Sequence, residues 1–305
     1  MSGNNLLEKH LLINPFAGNG KGKKFAGLIS KSPLIRGLSV VTPPGLEESE
    51  RIVNELNRDS IHLIIAGGDG TFNTVINQVH PPYRFSVSFV AAGSGNDLAR
   101  FLGLPTRPIE ALQSAIAATE RILLDVWELK IETADGETYR KKFINTSGVG
   151  FDAYVGYLKQ KKKFLSGLSV YVISLVQALV HYKPVGYSVS VNGEIRQSGS
   201  TMFITTGNGA YSGGGFKLTP RADSNDSLAD ICIVEHMPFG KILVNLPKAI
   251  TGKHLGINEV TYFKSNNYTI SLTEPAYIHL DGEVSDKLVT GLSLFLSPHK
   301  LKVIL

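Results

Sequence analysis

The chain has 305 residues, enough for a large core and for two domains. Its 43% hydrophobic and 19% charged content is that of a globular protein and excludes intrinsic disorder. The net charge of +5 suits an acidic partner such as a nucleotide or an anionic membrane surface, and without a basic stripe interleaved with aromatics nucleic acid is not an expected partner.

The opening MSGNNLLEKHLLIN has no basic start followed by a long apolar stretch, so no secretory signal is expected. His10–Asn14 reads as a strand, followed by a glycine loop, Pro15-Phe16-Ala17-Gly18-Asn19-Gly20-Lys21-Gly22-Lys23. This is not a Walker A loop, since G-x-x-x-x-G-K-[ST] occurs nowhere in the chain. Phe25, Leu28 and Ile29 start a helix, Leu38–Val41 is a second strand ending at Thr42, and Leu46–Asn57 is a polar helix with Ile52, Val53 and Leu56 inward.

The stretch that organises the first part of the chain is Ile61–Val79. Ile61–Ala66 is a buried-strand run, Gly67-Gly68-Asp69-Gly70-Thr71 is a glycine turn, and Phe72, Val75, Ile76 and Val79 stripe a helix that His80-Pro81-Pro82 stops. Backbone N–H groups of such a turn point outward at the positive end of a helix dipole, which seats phosphate. Asp69 is the odd member, because a carboxylate repels phosphate. Three roles fit it: a cap on its own helix, a ligand through Mg²⁺, or a brace for the loop.

Phe85–Ala91 is a fourth strand, opening into Ala92-Gly93-Ser94-Gly95-Asn96-Asp97. Leu98, Phe101 and Leu102 begin the next helix, and Ile109, Leu112 and Ile116 stripe another. Strand and helix alternate, so a parallel sheet with helices on both faces is expected. Its three glycine loops, 15–22, 67–71 and 92–97, fall along one edge, where ligands bind.

After about residue 124 the pattern changes to strands: Leu124–Ile131, Arg140–Asn145, Tyr187–Val191, Thr201–Thr206, Ala229–Val234, Glu259–Phe263, Tyr268–Leu272, Tyr277–Leu280 and Leu292–Leu296. Tight-turn pairs stand at Asp135-Gly136, Asn192-Gly193 and Asp281-Gly282, with helical interruptions near 153–182 and 239–252. The expectation is a mostly antiparallel β-sandwich domain, with a cleft between it and the first. Phe164–Val180 carries no charge but stands at the bottom of the range that spans a bilayer, so it is expected to pack on the protein near a lipid surface. Lys159–Lys163 before it is either a solvated helix end or a contact for anionic headgroups. The single cysteine, Cys232, lies in an apolar run and reads as a buried small hydrophobe, and the scattered histidines show no metal spacing.

Six pieces together resemble the diacylglycerol kinase catalytic-domain family, especially its bacterial lipid kinases: INPFAGNGKGK at 13–23, GGDGTFNTVIN at 67–77, AAGSGNDLAR at 91–100, FINTSGVGFDA at 143–153, GNGAYSGGGFKLTPRA at 207–222 and LDGE at 280–283. They stand in the family's order and span nearly the whole chain. GGDGT alone is shared with NAD kinases; the later pieces mark the lipid-kinase branch. The resemblance implies an α/β ATP domain over 1–124, a β-sandwich lipid domain over 125–295, and return of 296–305 to the first. It implies transfer of the ATP γ-phosphate to a lipid hydroxyl, with Mg²⁺, by a cytoplasmic enzyme that visits the membrane surface without spanning it. The oligomeric state stays open, a homodimer included.

By the same resemblance, ATP is contacted by Asn14, Pro15, Phe16, Ala17, Gly18, Thr42, Gly67, Gly68, Asp69, Gly70, Thr71, Phe72, Asn73, Thr74 and Ser94, with Asn96 and Asp97 beside it. The base that activates the lipid hydroxyl lies in the DGE stretch, at Asp281 and Glu283, and Asp125 resembles a carboxylate linked through water to the catalytic Mg²⁺. A structural Mg²⁺ loop maps to Asp223, Asp226 and the carbonyl of Leu228. The chain departs from the family in two places. Its first loop lysine is Lys21, with Lys23 beyond, and Ser227 stands where the structural loop has glycine. Local sequence reads Asp281-Gly282 as a type I′ hairpin turn, a reading compatible with presenting Glu283 to substrate. Two further readings stay open: a kinase of a soluble acceptor such as NAD, and a nucleotide-binding regulator without catalysis.

Overall fold

The structure is a computed structural model that describes residues 7–18, 20–162 and 168–305. The expectations on the first six residues, on Asn19, on Lys163 and on the first residues of Phe164–Val180 lie outside the described residues. Two compact units form: one runs to Val126 and takes in Pro298–Leu305, and the other is Trp127–Ser297.

The first unit is built on a sheet of six strands among the described residues. In chain order its elements are β1 (Glu8–Ile13), α1 (Lys21–Ile29), β2 (Ser39–Val41), α2 (Leu46–Glu55), β3 (Ile61–Gly67), α3 (Asp69–Gln78), β4 (Ser86–Ala91), α4 (Asp97–Phe101), α5 (Pro108–Ala117) and β5 (Arg121–Leu124). The sheet order is β2-β1-β3-β4-β17-β5, where β17 (Leu301–Ile304) comes from after the second unit. β1 to β4 and β17 run parallel, while β5 runs antiparallel to β17, so the sheet is mixed rather than purely parallel.

The alternation of a strand decides which helix covers which face. Leu11, Ile13, Ile64, Ala66 and Val90 share a core with Phe25 and Ile29 of α1 and Ala111, Leu112 and Ala115 of α5. Phe89, the neighbour of Val90 and thus on the other face, meets Phe72 of α3 with ring centroids 4.7 Å apart. A buried polar chain ties three strands: His62 Nε2 lies 2.8 Å from Ser88 Oγ, whose hydroxyl donates to Ile304 O at 2.5 Å.

The second unit holds β6 (Trp127–Thr133), β7 (Thr138–Phe143), β8 (Thr146–Gly150), α6 (Phe151–Gln160), α7 (Leu168–His181), β9 (Val185–Val191), β10 (Glu194–Gly207), β11 (Ala229–Glu235), α8 (Phe239–Thr251), β12 (Val260–Ser265), β13 (Asn267–Ala276), β14 (Ile278–Leu280), β15 (Glu283–Val284) and β16 (Val289–Leu296). The strands form one antiparallel sheet that branches at the long β10, whose first half pairs with β9 and whose second half pairs with both β8 and β11. Alternate residues of these strands meet in one core: Trp127 and Leu129 of β6, Tyr187 and Val189 of β9, Ile231 and Ile233 of β11, Ile270 of β13, and Leu292 and Leu294 of β16. The sheet therefore folds over on itself as a sandwich. The intervening residues Cys232 and Val234 face α6, α7 and α8 in a second cluster. Cys232 is fully buried, and burial pushes its thiol up to about 12.

The expected strand Leu124–Ile131 is two strands in two sheets, β5 and β6, divided at Asp125-Val126. Both dividing residues are fully buried, and no glycine or proline marks the break; Asp125 is a single polar residue in an apolar run. The hairpin pairs also separate. Asn192-Gly193 and Asp281-Gly282 both have positive φ at each residue, 53° and 84° and then 49° and 84°, as type I′ turns require. At Asp135-Gly136 only the glycine does (85°), and Thr133 N donates to Glu137 O across a three-residue loop.

Candidate functional site

In the first unit the three glycine loops are interlocked. Asn14 Nδ2 donates to Thr71 Oγ1 at 2.9 Å, and Asn14 Oδ1 accepts from Phe16 N at 2.9 Å, joining the first loop to the second. Lys21 Nζ reaches Gly93 O at 3.3 Å, joining the first to the third. Gly68 and Gly93 press backbone to backbone; a Cβ on Gly93 would collide with Gly68 Cα. Gly18 has φ 59° and lies so close to Ala92 that a Cβ would come within 2.8 Å of its carbonyl oxygen. Glycine is needed here for close approach, and at Gly18 for the left-handed backbone as well.

Asp69 does not cap its own helix. The N-cap of α3 is Gly68, without a side-chain bond, and Asp69 instead reaches the neighbouring α4. Its Oδ2 accepts from Asp97 N at 3.1 Å and its Oδ1 from Leu98 N at 3.0 Å. Burial pushes the Asp69 carboxyl above its ordinary value, against the pull of those N–H groups. Of the three roles open to it, the loop brace is the one its contacts describe. Asp97 pairs with Arg100 at 2.7 Å, and Asn96, with φ 55°, accepts from Gly93 N at 3.0 Å through its side chain. What stays accessible on this edge is Phe16, 72% exposed, with Ser94 and Thr42 also exposed and Pro15, Gly70 and Thr74 partly so. Ala17, Gly67, Phe72 and Asn73 are buried behind them.

Asp125 is not on this edge. β5 runs opposite to β4, and Leu124 pairs with Leu301, so Asp125 lies level with Lys300 and Arg84 at the N-terminal ends of the parallel strands. The two edges are roughly 20 Å apart at about 3.3 Å per strand residue. There the fully buried Asp125 carboxylate meets Lys300 Nζ at 2.9 Å. The set Asp69 plus Asp125 therefore does not fit one Mg²⁺.

In the second unit the motif residues form a knot of their own. The Asp281 carboxylate, only 3% exposed, accepts from three successive backbone N–H groups: Ile144 (3.0 Å), Asn145 (2.8 Å) and Thr146 (3.0 Å). Asp281 N returns a bond to Thr146 O at 2.7 Å. Asn208 Nδ2 donates to Ile144 O at 2.8 Å, and Trp127 Nε1 donates to Asn208 Oδ1 at 3.0 Å. FINTSG, GNG and LDGE, remote in sequence, are thus one hydrogen-bonded unit. Glu283 follows on the exposed side of the β14–β15 hairpin, paired with Leu280 in the ladder.

The loop 223–228 closes on itself: Asp223 Oδ1 accepts from Asn225 N and Asp226 Oδ1 from Leu228 N, each at 3.0 Å. Ser227 takes the left-handed backbone at φ 61°, the conformation that glycine favours. The other Asp226 oxygen meets Lys264 Nζ at 2.6 Å, so an ammonium already stands where a cation would. Among the described residues no group of three or more His, Cys, Asp or Glu side chains is placed to hold a metal ion. The structural Mg²⁺ set of Asp223, Asp226 and the Leu228 carbonyl does not fit the ion as it stands, because Lys264 holds Asp226.

One cluster lay beyond sequence reasoning. Asp152 Oδ2 meets His279 Nε2 and Thr205 Oγ1, each at 3.2 Å, and Asp152 Oδ1 accepts from Ala153 N at 2.8 Å. Gly148 makes room for it, since a Cβ there would collide with the Asp152 carboxylate. The signal available was Asp152 inside FINTSGVGFDA; nothing in the spacing tied it to His279.

Two family models match the chain. Residues 8–128 match the model of the diacylglycerol kinase catalytic domain, and residues 145–305 match that of the YegS C-terminal NAD kinase beta sandwich-like domain. The chain is 30% identical over 310 aligned positions to YtlR of Bacillus subtilis (strain 168), provisionally named a lipid kinase, covering 96% of this chain and 97% of that one. It is 28% identical over 230 positions to the diacylglycerol kinase of the same organism, covering 74% and 72% of the two chains. The crystal structure of a diacylglycerol kinase from Bacillus anthracis str. Sterne shares the fold, with a TM-score of 0.70 at 18% identity over 97% of this chain and 96% of that one. With both halves matched and a relative at 30% identity along its whole length, the chain belongs to the diacylglycerol kinase family of lipid kinases.

Proposed function

We propose that the protein transfers the γ-phosphate of ATP to the hydroxyl of a membrane lipid of the diacylglycerol class. The observation that carries this reading is the interlocked glycine edge, with no Walker lysine and its first loop lysine, Lys21, turned to a carbonyl. Such an edge holds phosphate by backbone N–H groups and a helix dipole. Pro15, Phe16, Thr42, Gly70, Thr74 and Ser94 are its accessible rim and are assigned to the nucleotide. Asn14, Thr71, Asp69, Asn96 and Asp97 shape the loops from within. Mg²⁺ would be carried by the phosphates of the nucleotide and would neutralise their charge.

Of the DGE carboxylates, Glu283 is assigned as the base that takes the acceptor proton, because Asp281 already accepts three backbone N–H groups. Asp281 is a positioning residue that fixes the hairpin on which Glu283 stands. Asp125, with Lys300, is assigned to holding the junction of β5 and β17.

The test is ATP-dependent phosphorylation of a mixed membrane-lipid extract, with and without Mg²⁺, by the wild type and by Glu283→Gln. A new Mg²⁺-dependent phospholipid absent from the variant supports the reading, and its chromatographic identity names the acceptor. ATP binding without any lipid product sinks it. The likeness of the second half to an NAD kinase sandwich makes NAD the soluble acceptor to include in that assay. Equal biological function of wild type and Glu283→Gln would favour a regulator without catalysis.

A further inference from the structure

The loop 223–228 is held by a cation that the chain itself supplies. Lys264 stands on β12 directly opposite Asp230 of β11, a pairing fixed by the ladder between the two strands. Opposite charges at directly opposed positions attract across a sheet. Asp230 is fully buried. Its Oδ1 accepts from the Tyr262 hydroxyl at 2.6 Å. Its Oδ2 makes no hydrogen bond and faces Lys264 Nζ at 3.4 Å. The same ammonium meets Asp226 Oδ2 at 2.6 Å. One positive charge thus stands between two carboxylates, one from the loop and one from the sheet.

The loop is clamped to β12 at two points. Tyr262, two residues before Lys264 and so on the same face of the strand, accepts from Arg221 N at 3.2 Å, ahead of the loop. Lys264 takes Asp226 within it. Asp226 is pinned at both oxygens, since its Oδ1 accepts from Leu228 N at 3.0 Å. That bracing lets Ser227 hold the left-handed backbone at φ 61° without being glycine. A Mg²⁺ here would need oxygens at about 2.0–2.1 Å on all sides. The Asp226 oxygen left over from Leu228 N is the one the ammonium occupies, and Asp223 is exposed, with Oδ1 bonded to Asn225 N.

The geometry points to Lys264 as a built-in replacement for a divalent ion: its ammonium bridges Asp226 and Asp230 and locks the loop to β11 and β12, so that this loop folds without a metal. The inference concerns the second unit alone and does not depend on the catalytic reading above. A divalent-ion requirement found in turnover would then lie outside this loop.

The test is the melting temperature of the full chain without nucleotide, in excess EDTA and in magnesium chloride at matched ionic strength. Wild type is expected to melt within about 1 °C in the two, since an ion that bound the fold well above its Kd would raise the value by several degrees. Lys264→Met keeps the apolar stem and removes the charge. It is expected to melt about 4–8 °C lower in EDTA, with part of the loss restored by magnesium once the carboxylates are open to an ion. Asp226→Asn is the second variant, expected to melt about 2–4 °C lower than wild type in EDTA and magnesium alike. If Lys264→Met does not fold, the wild-type comparison and Asp226→Asn decide. A magnesium-dependent rise in wild type that Asp226→Asn abolishes would overturn the replacement. So would a Lys264→Met protein as stable as wild type, or one equally blind to magnesium, or an Asp226→Asn protein that melts with wild type.

Discussion

The glycine edge of the first unit and the DGE knot of the second each contain an aspartate at the heart of a motif, and the two do the same kind of work. Asp69 accepts two backbone N–H groups at the start of α4, and Asp281 accepts three from residues 144–146. Each ties its own turn to a loop distant in sequence. They differ in what they leave to face the reaction. Around Asp69 the accessible groups are backbone and a rim of small or apolar side chains. Beside Asp281 it is a second carboxylate, Glu283, exposed on the hairpin that Asp281 anchors. On the proposed reading, the buried motif aspartate holds the site and its exposed neighbour, Glu283, does the chemistry.

The sharpest way to break this comparison is Asp281→Ala. Leaving three buried N–H groups without an acceptor is expected to cost roughly 3–5 kcal/mol of stability, measured by urea denaturation. A loss under about 1 kcal/mol would remove the anchoring role. Next comes Gly93→Ala, whose Cβ would meet Gly68 Cα and come within 2.8 Å of Asn96 Oδ1. Its cost is expected at about 1–3 kcal/mol, with ATP affinity falling as the loops are forced apart; calorimetric titration reads the second effect.

Acid stability offers a probe of the first unit. Burial lowers His62 to about 4, from an ordinary value of 6.5, in the middle of the first sheet. Its folded value is depressed, so the neutral ring's contribution is whole above pH ~6.5 and is lost as pH falls toward 4. Between pH ~8 and ~5 the loss is about 2 kcal/mol, and His62→Leu is expected to flatten it in denaturation curves followed at several pH values. Smallest in stability is Glu283→Gln, expected within about 0.5 kcal/mol of wild type because the side chain is exposed. Its activity is expected to fall ~10²–10⁴-fold, and equal loss of stability and activity would return it to the class of Asp281.

Much of this was legible in the residues. Ile61–Val79 announced strand, turn and helix by periodicity, and the glycine loops marked one edge of the first sheet. Asp281-Gly282 read as the type I′ turn it is. Other features were not legible, for physical reasons. β8, Thr146–Gly150, contains two glycines and no bulky residue but Val149, because Asp152 and His279 crowd against it at Gly148. The passage from β5 to β6 runs through buried residues without a turn. The edge on which Asp125 lies depends on the direction of β5, and direction is set by a pairing with residues far along the chain. Contacts that define Asp69 and Asp281 are to backbone N–H groups, which every residue type but proline offers alike.

The place of β17 has a consequence for synthesis. β5 pairs with β17 alone, and β17 separates it from β4. Residues 301–304 leave the ribosome only after all of Trp127–Ser297. The second unit can therefore complete its sheet first, while the first unit waits with an open edge at β4 and β5 unpaired. The half translated first is the half finished last, and through that interval β4 is the strand most exposed to wrong pairing.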